Sequence, residues 1–165
     1  MLVERAPLSC LPAIDTLRIA CIRHMQAAGI DQWDDLYPTA DVFHRDCREG
    51  NLFILQDPAH QLLGSVTLDR HQAPEYSTVQ WSHQAEPIAI IHRLMISPEH
   101  QGRGHAKILM RGLEAEARRQ GVQTLRLDTY QHNPIALHLY STLGYRRAGQ
   151  VTFRKGLFTC FEKSL

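Results

Sequence analysis

From Pro98 the chain reads Pro-Glu-His-Gln-Gly-Arg-Gly-His-Ala-Lys, and the small residues in this stretch are spaced as an anion site requires. A pyrophosphate needs several backbone N–H groups aimed at one spot, together with the positive end of a helix dipole. The first turn of a helix supplies both, because its leading N–H groups have no partner within the helix. Side chains at the points of closest approach would block the anion, so Gly102, Gly104 and Ala106 suit the position. Arg103 and Lys107 add positive charge beside them. A dinucleotide fingerprint would want a third small residue where Lys107 stands, and the Gly-Lys-Ser/Thr of a P-loop is absent. A glycine-rich turn without a ligand is the competing reading of these residues taken alone.

Two further residues invite chemistry. His92 lies within the apolar stretch Ile88 to Ile96, on the same face as Ile90, Leu94 and Ile96 by the two-residue strand period. An imidazole with an ordinary pKa near ~6.5 suits proton removal, directly or through water, although a satisfied core histidine fits the same pattern. Asp128, in Arg126-Leu127-Asp128-Thr129, could act as base, orient His92, or pair with Arg126.

The elements that must carry these residues follow from periodicity and turn signals. Leu2 to Arg5 reads as a short strand. Apolar residues from Leu11 to Ala28 recur at helical spacing, with Gly29 as the stop. Pro38 disfavours helix at Tyr37, which leaves Trp33 to Pro38 as a loop, and Thr39 could cap a second helix from Ala40 to Glu49. Leu52 to Gln56 and Gln61 to Leu68 form a hairpin about Asp57-Pro58-Ala59-His60. Asp69 to Gln84 is polar and irregular. Ile88 to Ile96 is a strand, Gly102 to Gln120 an amphipathic helix, Thr124 to Tyr130 a strand and Pro134 to Leu143 a helix. Tyr145 to Phe153 and Leu157 to Lys163 close the chain as two strands. Hairpins alternating with crossovers predict an α/β fold: a mixed, mostly antiparallel sheet of about seven strands flanked by about four helices.

Composition narrows the function classes. At 165 residues the chain fits a single domain with its own core. A formal net charge of +1 gives no general pull toward nucleic acid or membrane, so neither is expected as a partner. The segment before Cys10 has no apolar core of a signal peptide, and no apolar run is long enough to span a bilayer. The four cysteines show no C-x-x-C pair, which fits free thiols in a reducing cytoplasm. Ten histidines lack ligand spacing, so no metal is expected.

The stretch from Ile91 to Gly149 resembles the core of the GNAT (GCN5-related N-acetyltransferase) superfamily. Its acetyl-CoA turn is Arg/Gln-x-x-Gly-x-Gly/Ala, and Gln101-Gly102-Arg103-Gly104-His105-Ala106 matches each fixed position. Asn133-Pro134-Ile135-Ala136, Leu139-Tyr140 and Gly144-Tyr145 match a second family pattern, in the right order. The resemblance implies an N-acetyltransferase with acetyl-CoA as acyl donor and a primary amine of a small molecule or peptide as acceptor, by direct attack in a ternary complex. Gln101 to Lys107, His105 included, would hold the pyrophosphate. Leu94 and Ile96 would bond the pantetheine amides through their backbone, with Asn133 reaching the same arm unless it only caps its helix. Tyr140 would be the general acid, the alternative being an aromatic of the core. Many relatives carry a Glu base on the strand before the turn; here none lies within Ile88 to Ile96, which leaves His92 or a water. The loops bearing Trp33, Tyr37, Tyr76 and Trp81, together with Asp128, would build the acceptor pocket unless these aromatics only anchor the loops. A non-catalytic acyl-CoA-binding regulatory module satisfies the same donor motifs. The final strand is long enough that it could pair between subunits of a homodimer.

Overall fold

The computed structural model describes residues 1–165. Strands β1 (Leu2–Arg5), β2 (Leu52–Gln56), β3 (Leu62–Asp69), β4 (Ile88–Ile96), β5 (Thr124–Tyr130), β6 (Arg146–Phe153) and β7 (Gly156–Ser164) form one seven-stranded sheet in the order β1-β2-β3-β4-β5-β7-β6. Helices α1 (Leu11–Ala27), α2 (Ala40–Arg48), α3 (His105–Arg119) and α4 (Pro134–Thr142) accompany it. β1 and β2, β2 and β3, β5 and β7, and β6 and β7 pair antiparallel, whereas β4 and β5 pair parallel, Ile88 to Ile91 against Thr124 to Leu127. This is the mixed sheet that the alternation of hairpins and crossovers predicts. No helix is long and apolar enough to cross a membrane.

The chain divides into two compact units. The first comprises Met1–Leu68 and Arg93–Leu113, the second Asp69–His92 and Glu114–Leu165, so the division falls inside β4 and inside α3. The core of the first unit packs Ile14, Leu17 and Cys21 of α1 against Phe43 of α2, Leu52 and Ile54 of β2, and Met95 of β4. The α1 residues recur every three or four positions, which puts them on one stripe of the helix, and burying such a stripe is what makes the helix worth forming. Thr39 precedes α2 in an extended conformation but its side chain makes no cap bond. In the second unit Ile88, Ile90, Val151, Phe158 and Cys160 surround Tyr76, Val79 and Trp81.

Several boundaries move by a residue or two, and one shift has a reason that matters. The helix expected to begin at Gly102 begins at His105, because Gly102 and Gly104 hold φ of +75° and +82°, outside the helical region. The irregular stretch after β3 contains a short 3-10 turn at Pro74–Thr78. β7, the strand expected to be free for pairing between subunits, is hydrogen-bonded to β5 on one side and β6 on the other, so it has no open edge.

Candidate active site

Of the residues expected on the donor side, Leu94, Ile96 and Gln101 to Lys107 lie in the first unit and Asn133 in the second. β4 ends at Ile96, Pro98–His100 makes a 3-10 turn, and Gln101 is extended before the two glycines lead into α3. An ideal Cβ built on Gly102 or Gly104 would meet nothing within 4 Å, so the glycines are required by backbone conformation, and their outer face is open. The first bond of α3 runs from Ile108 N–H to the Gly104 carbonyl at 3.2 Å. The N–H groups of His105, Ala106 and Lys107 therefore precede any acceptor within the helix and sit at its positive end. Open glycines and three such N–H groups fit a pyrophosphate.

Two expected ligand residues are already engaged. The Gln101 side chain donates to the Ile96 carbonyl at 3.1 Å, and the Cys21 thiol donates to the same oxygen at 3.4 Å. With both lone pairs of that carbonyl used, the Ile96 oxygen has none left to accept from a pantetheine amide. Gln101 ties the turn to the end of β4, so only its backbone faces the anion question. The His105 ring likewise reaches back to the His100 carbonyl at 3.1 Å. Gly64 of β3 explains how closely β4 is held: a Cβ there would come within 2.5 Å of the Met95 carbonyl oxygen.

The titratable residues collect in the second unit. His92 Nε2 lies 3.0 Å from Asp69 Oδ1, the last residue of β3. A carboxylate oxygen accepts, which assigns a proton to Nε2. Asp69 was not among the expected residues, because its position at a strand end before a polar stretch carries no local sign of pairing with His92. Asp128 neither orients His92 by a direct bond nor pairs with Arg126. Its Oδ2 accepts from the Tyr76 hydroxyl at 2.7 Å. The Arg126 guanidinium stacks 4.3 Å over the Trp81 ring and donates to Gln72 and to the His83 carbonyl. Burial pushes the Asp128 carboxyl above the usual carboxylate range, while the Tyr76 hydrogen bond and the charge of His92 pull the other way.

Tyr140 is a buried residue of α4, its ring 6.0 Å from that of Tyr145 and 5.7 Å from that of Phe161. Burial, and then the Asp128 charge, raise its phenol well above the usual tyrosine range, so it stays protonated at any physiological pH. Asn133 caps α4 by accepting from Ala136 N–H at 3.1 Å, the local role its sequence position suggests.

The aromatic candidates separate. Trp33 and Trp81 are buried: each is at most 9% exposed and sits in its unit's apolar cluster, with the Trp81 indole N–H bonded to the Tyr76 carbonyl. Tyr76 is buried, but its hydroxyl meets Asp128. Tyr37 is 41% exposed, and its hydroxyl accepts from Arg93 at 2.9 Å. Burial also bears on the thiols. Cys21 and Cys160 are pushed up to about 12, and Cys10 and Cys47 are raised by burial as well, so none is poised as a thiolate nucleophile.

Comparison with known proteins bears on the family. Residues 18–145 match the sequence model of the Acetyltransferase (GNAT) family. A [Ribosomal protein bS18]-alanine N-acetyltransferase of Haemophilus ducreyi is 29% identical over 119 residues, 65% of this chain and 80% of that protein. A spermidine N(1)-acetyltransferase of Vibrio cholerae is 29% identical over 100 residues, 60% of this chain but only 51% of the relative. Among solved structures, a GNAT-family acetyltransferase from Streptococcus agalactiae superposes with a TM-score of 0.88 at 22% identity, covering 99% of this chain and 95% of that one. An acetyltransferase from Salmonella typhimurium, solved with its cofactor acetyl-CoA, superposes with a TM-score of 0.74 at 17% identity, covering 100% and 94%. The chain belongs to the acetyltransferase (GNAT) family and is an acetyl-CoA-dependent acyltransferase.

Proposed function

We propose that this protein transfers an acetyl group from acetyl-CoA to a primary amine of a small molecule or peptide, by direct attack with no covalent enzyme intermediate. The observation that carries the donor half is the turn: two open glycines at positive φ leading into a helix whose first three N–H groups are unpaired within it. Acetyl-CoA, when bound, supplies an acyl thioester. The N–H groups of Gly102 to Lys107 hold its pyrophosphate, Arg103 and Lys107 lend charge, the Leu94 backbone meets the pantetheine arm, and Asn133 reaches the arm beyond its cap bond.

Acyl transfer needs a neutral amine and a stabilised leaving sulfur. His92 presents Nδ1 as the proton acceptor, directly or through a water, while Asp69 fixes the ring through Nε2. Tyr140 holds its proton and donates it as a hydrogen bond toward the departing thiolate. Transfer of that proton outright is uphill at first, since an ordinary thiol near ~8.5 is the stronger acid. Asp128, held by Tyr76, is a counter-charge for the incoming ammonium. The raised thiols support the direct route, because a covalent acyl-cysteine would need a thiolate that burial disfavours here.

The names of the relatives direct the choice of acceptors toward peptide N-termini and polyamines. The test is release of CoA thiol from acetyl-CoA over a panel of N-terminal peptides, polyamines, amino acids and aminoglycosides. An amine-dependent rate with one class names the acceptor. Binding of acetyl-CoA with no release to any amine would leave the regulatory-module reading in its place.

A further inference from the structure

Arg93 is a non-glycine residue at φ +54° in the middle of β4. That region is disfavoured for a residue with a Cβ, and a long side chain there needs something to hold it. Arg93 Nη2 and Nε donate to a single oxygen, Asp46 Oδ2, at 2.6 and 3.0 Å, and Nη1 donates to the Tyr37 hydroxyl. The same Asp46 oxygen accepts from Thr67 Oγ1 at 2.8 Å. The side chains are 7% and 3% exposed, so water does not compete for them. Asp46 itself is fixed on α2, whose C-terminal end is tied down by Asn51 N–H donating to its carbonyl at 2.8 Å.

A single left-handed step inside a strand re-aims the backbone groups that follow it. The residue that follows is Leu94, whose backbone meets the pantetheine arm in the proposed reading. We infer that Asp46 is a positioning residue for the acyl donor: through its buried ion pair it holds Arg93 in the left-handed conformation and so sets the direction of the Leu94 backbone. Tyr37 shares the guanidinium, which links the loop before α2 to the same point of β4. The inference rests on acetyl-CoA lying along Leu94 and the Gly102 turn.

Glycine separates the two roles of Arg93, since it adopts positive φ freely but carries no guanidinium. Acetyl-CoA affinity is measured by titration calorimetry for the wild type, Arg93→Gly, Arg93→Ala, Asp46→Asn and the pair Asp46→Asn/Arg93→Gly, with circular dichroism as the check on folding. Arg93→Ala should bind about tenfold more weakly than Arg93→Gly, the ratio that disfavour of the left-handed region implies. Asp46→Asn should weaken binding in the wild type yet leave Arg93→Gly within about twofold, because the tie then has nothing to hold. Asp46→Asn alone strands a buried guanidinium and could unfold the chain; the paired variant lacks that guanidinium and still reads the coupling. Equal affinities for Arg93→Ala and Arg93→Gly, or equal losses from Asp46→Asn in both backgrounds, would overturn the inference. A wild type that does not bind acetyl-CoA would instead overturn the reading beneath it.

Discussion

The two units handle chemistry in different currencies. In the first, the turn from Gln101 to Lys107 offers backbone: its side chains at Gln101 and His105 are folded back onto the Ile96 and His100 carbonyls, and the glycines leave the N–H groups exposed. In the second, the candidate groups are side chains, with His92 on Asp69, Asp128 on Tyr76, and Tyr140 buried within reach of the Asp128 charge. Backbone recognition tolerates side-chain change but not a change of φ. Side-chain chemistry is the reverse, depending on burial and on partners from distant segments. The contrast teaches where each half of the reaction is vulnerable.

The largest effect is expected where side chains act. Tyr140→Phe keeps the ring and the packing against Tyr145 and Phe161 but removes the proton, and should lower kcat by about 10²-fold or more with acetyl-CoA affinity unchanged. His92→Ala should produce a loss of similar order. Steady-state kinetics beside calorimetric affinities decide the matter; a parallel loss of binding would erase the distinction between the units. A smaller effect belongs to the turn. Gly104→Ala imposes a Cβ at φ +82°, where the space is open but the conformation is not. It should weaken acetyl-CoA binding about tenfold, leave kcat at saturation nearly intact, and cost little in Tm.

The smallest effect is on stability, and its sign is informative. Burial raises the folded Asp128 carboxyl above its ordinary value, so the folded chain binds that proton more tightly than the unfolded chain does. Below the ordinary carboxylate range, near ~3.9, both states are protonated and the penalty is absent. It sets in as pH rises from that range through the folded value, and is full above it. Asp128→Asn keeps an acceptor for the Tyr76 hydroxyl and removes the ionisation. It should raise Tm at pH 7, by on the order of 3 °C, while slowing turnover, and the gain should fade as the pH is lowered toward 4. A variant that is less stable at pH 7 would show Asp128 to be a structural partner of Tyr76 instead.

Much of this molecule is legible in the order of its residues. The β4–turn–α3 segment declares itself because the pattern of an anion site at a helix N-terminus is local: its requirements are small residues at fixed offsets. The same holds for Asn133 before Pro134, and for the strand and helix boundaries, which follow from periods of two and of 3.6. The sequence also determined that Cys10, Cys21, Cys47 and Cys160 form no redox or metal motif. What it left open were relationships across long separations. Asp69 and His92 stand 23 positions apart, Asp46 and Arg93 47, Tyr76 and Asp128 52. No local pattern distinguishes these carboxylates from solvated ones, since the energy that selects a buried pair comes from desolvation of both partners in the folded chain. Tertiary structure likewise decided that Trp33 and Trp81 serve the cores, that β7 enters between β5 and β6, and that Arg93 stands in a left-handed conformation mid-strand. Each of these is fixed by packing on both sides of a residue, and only the folded chain brings both sides together.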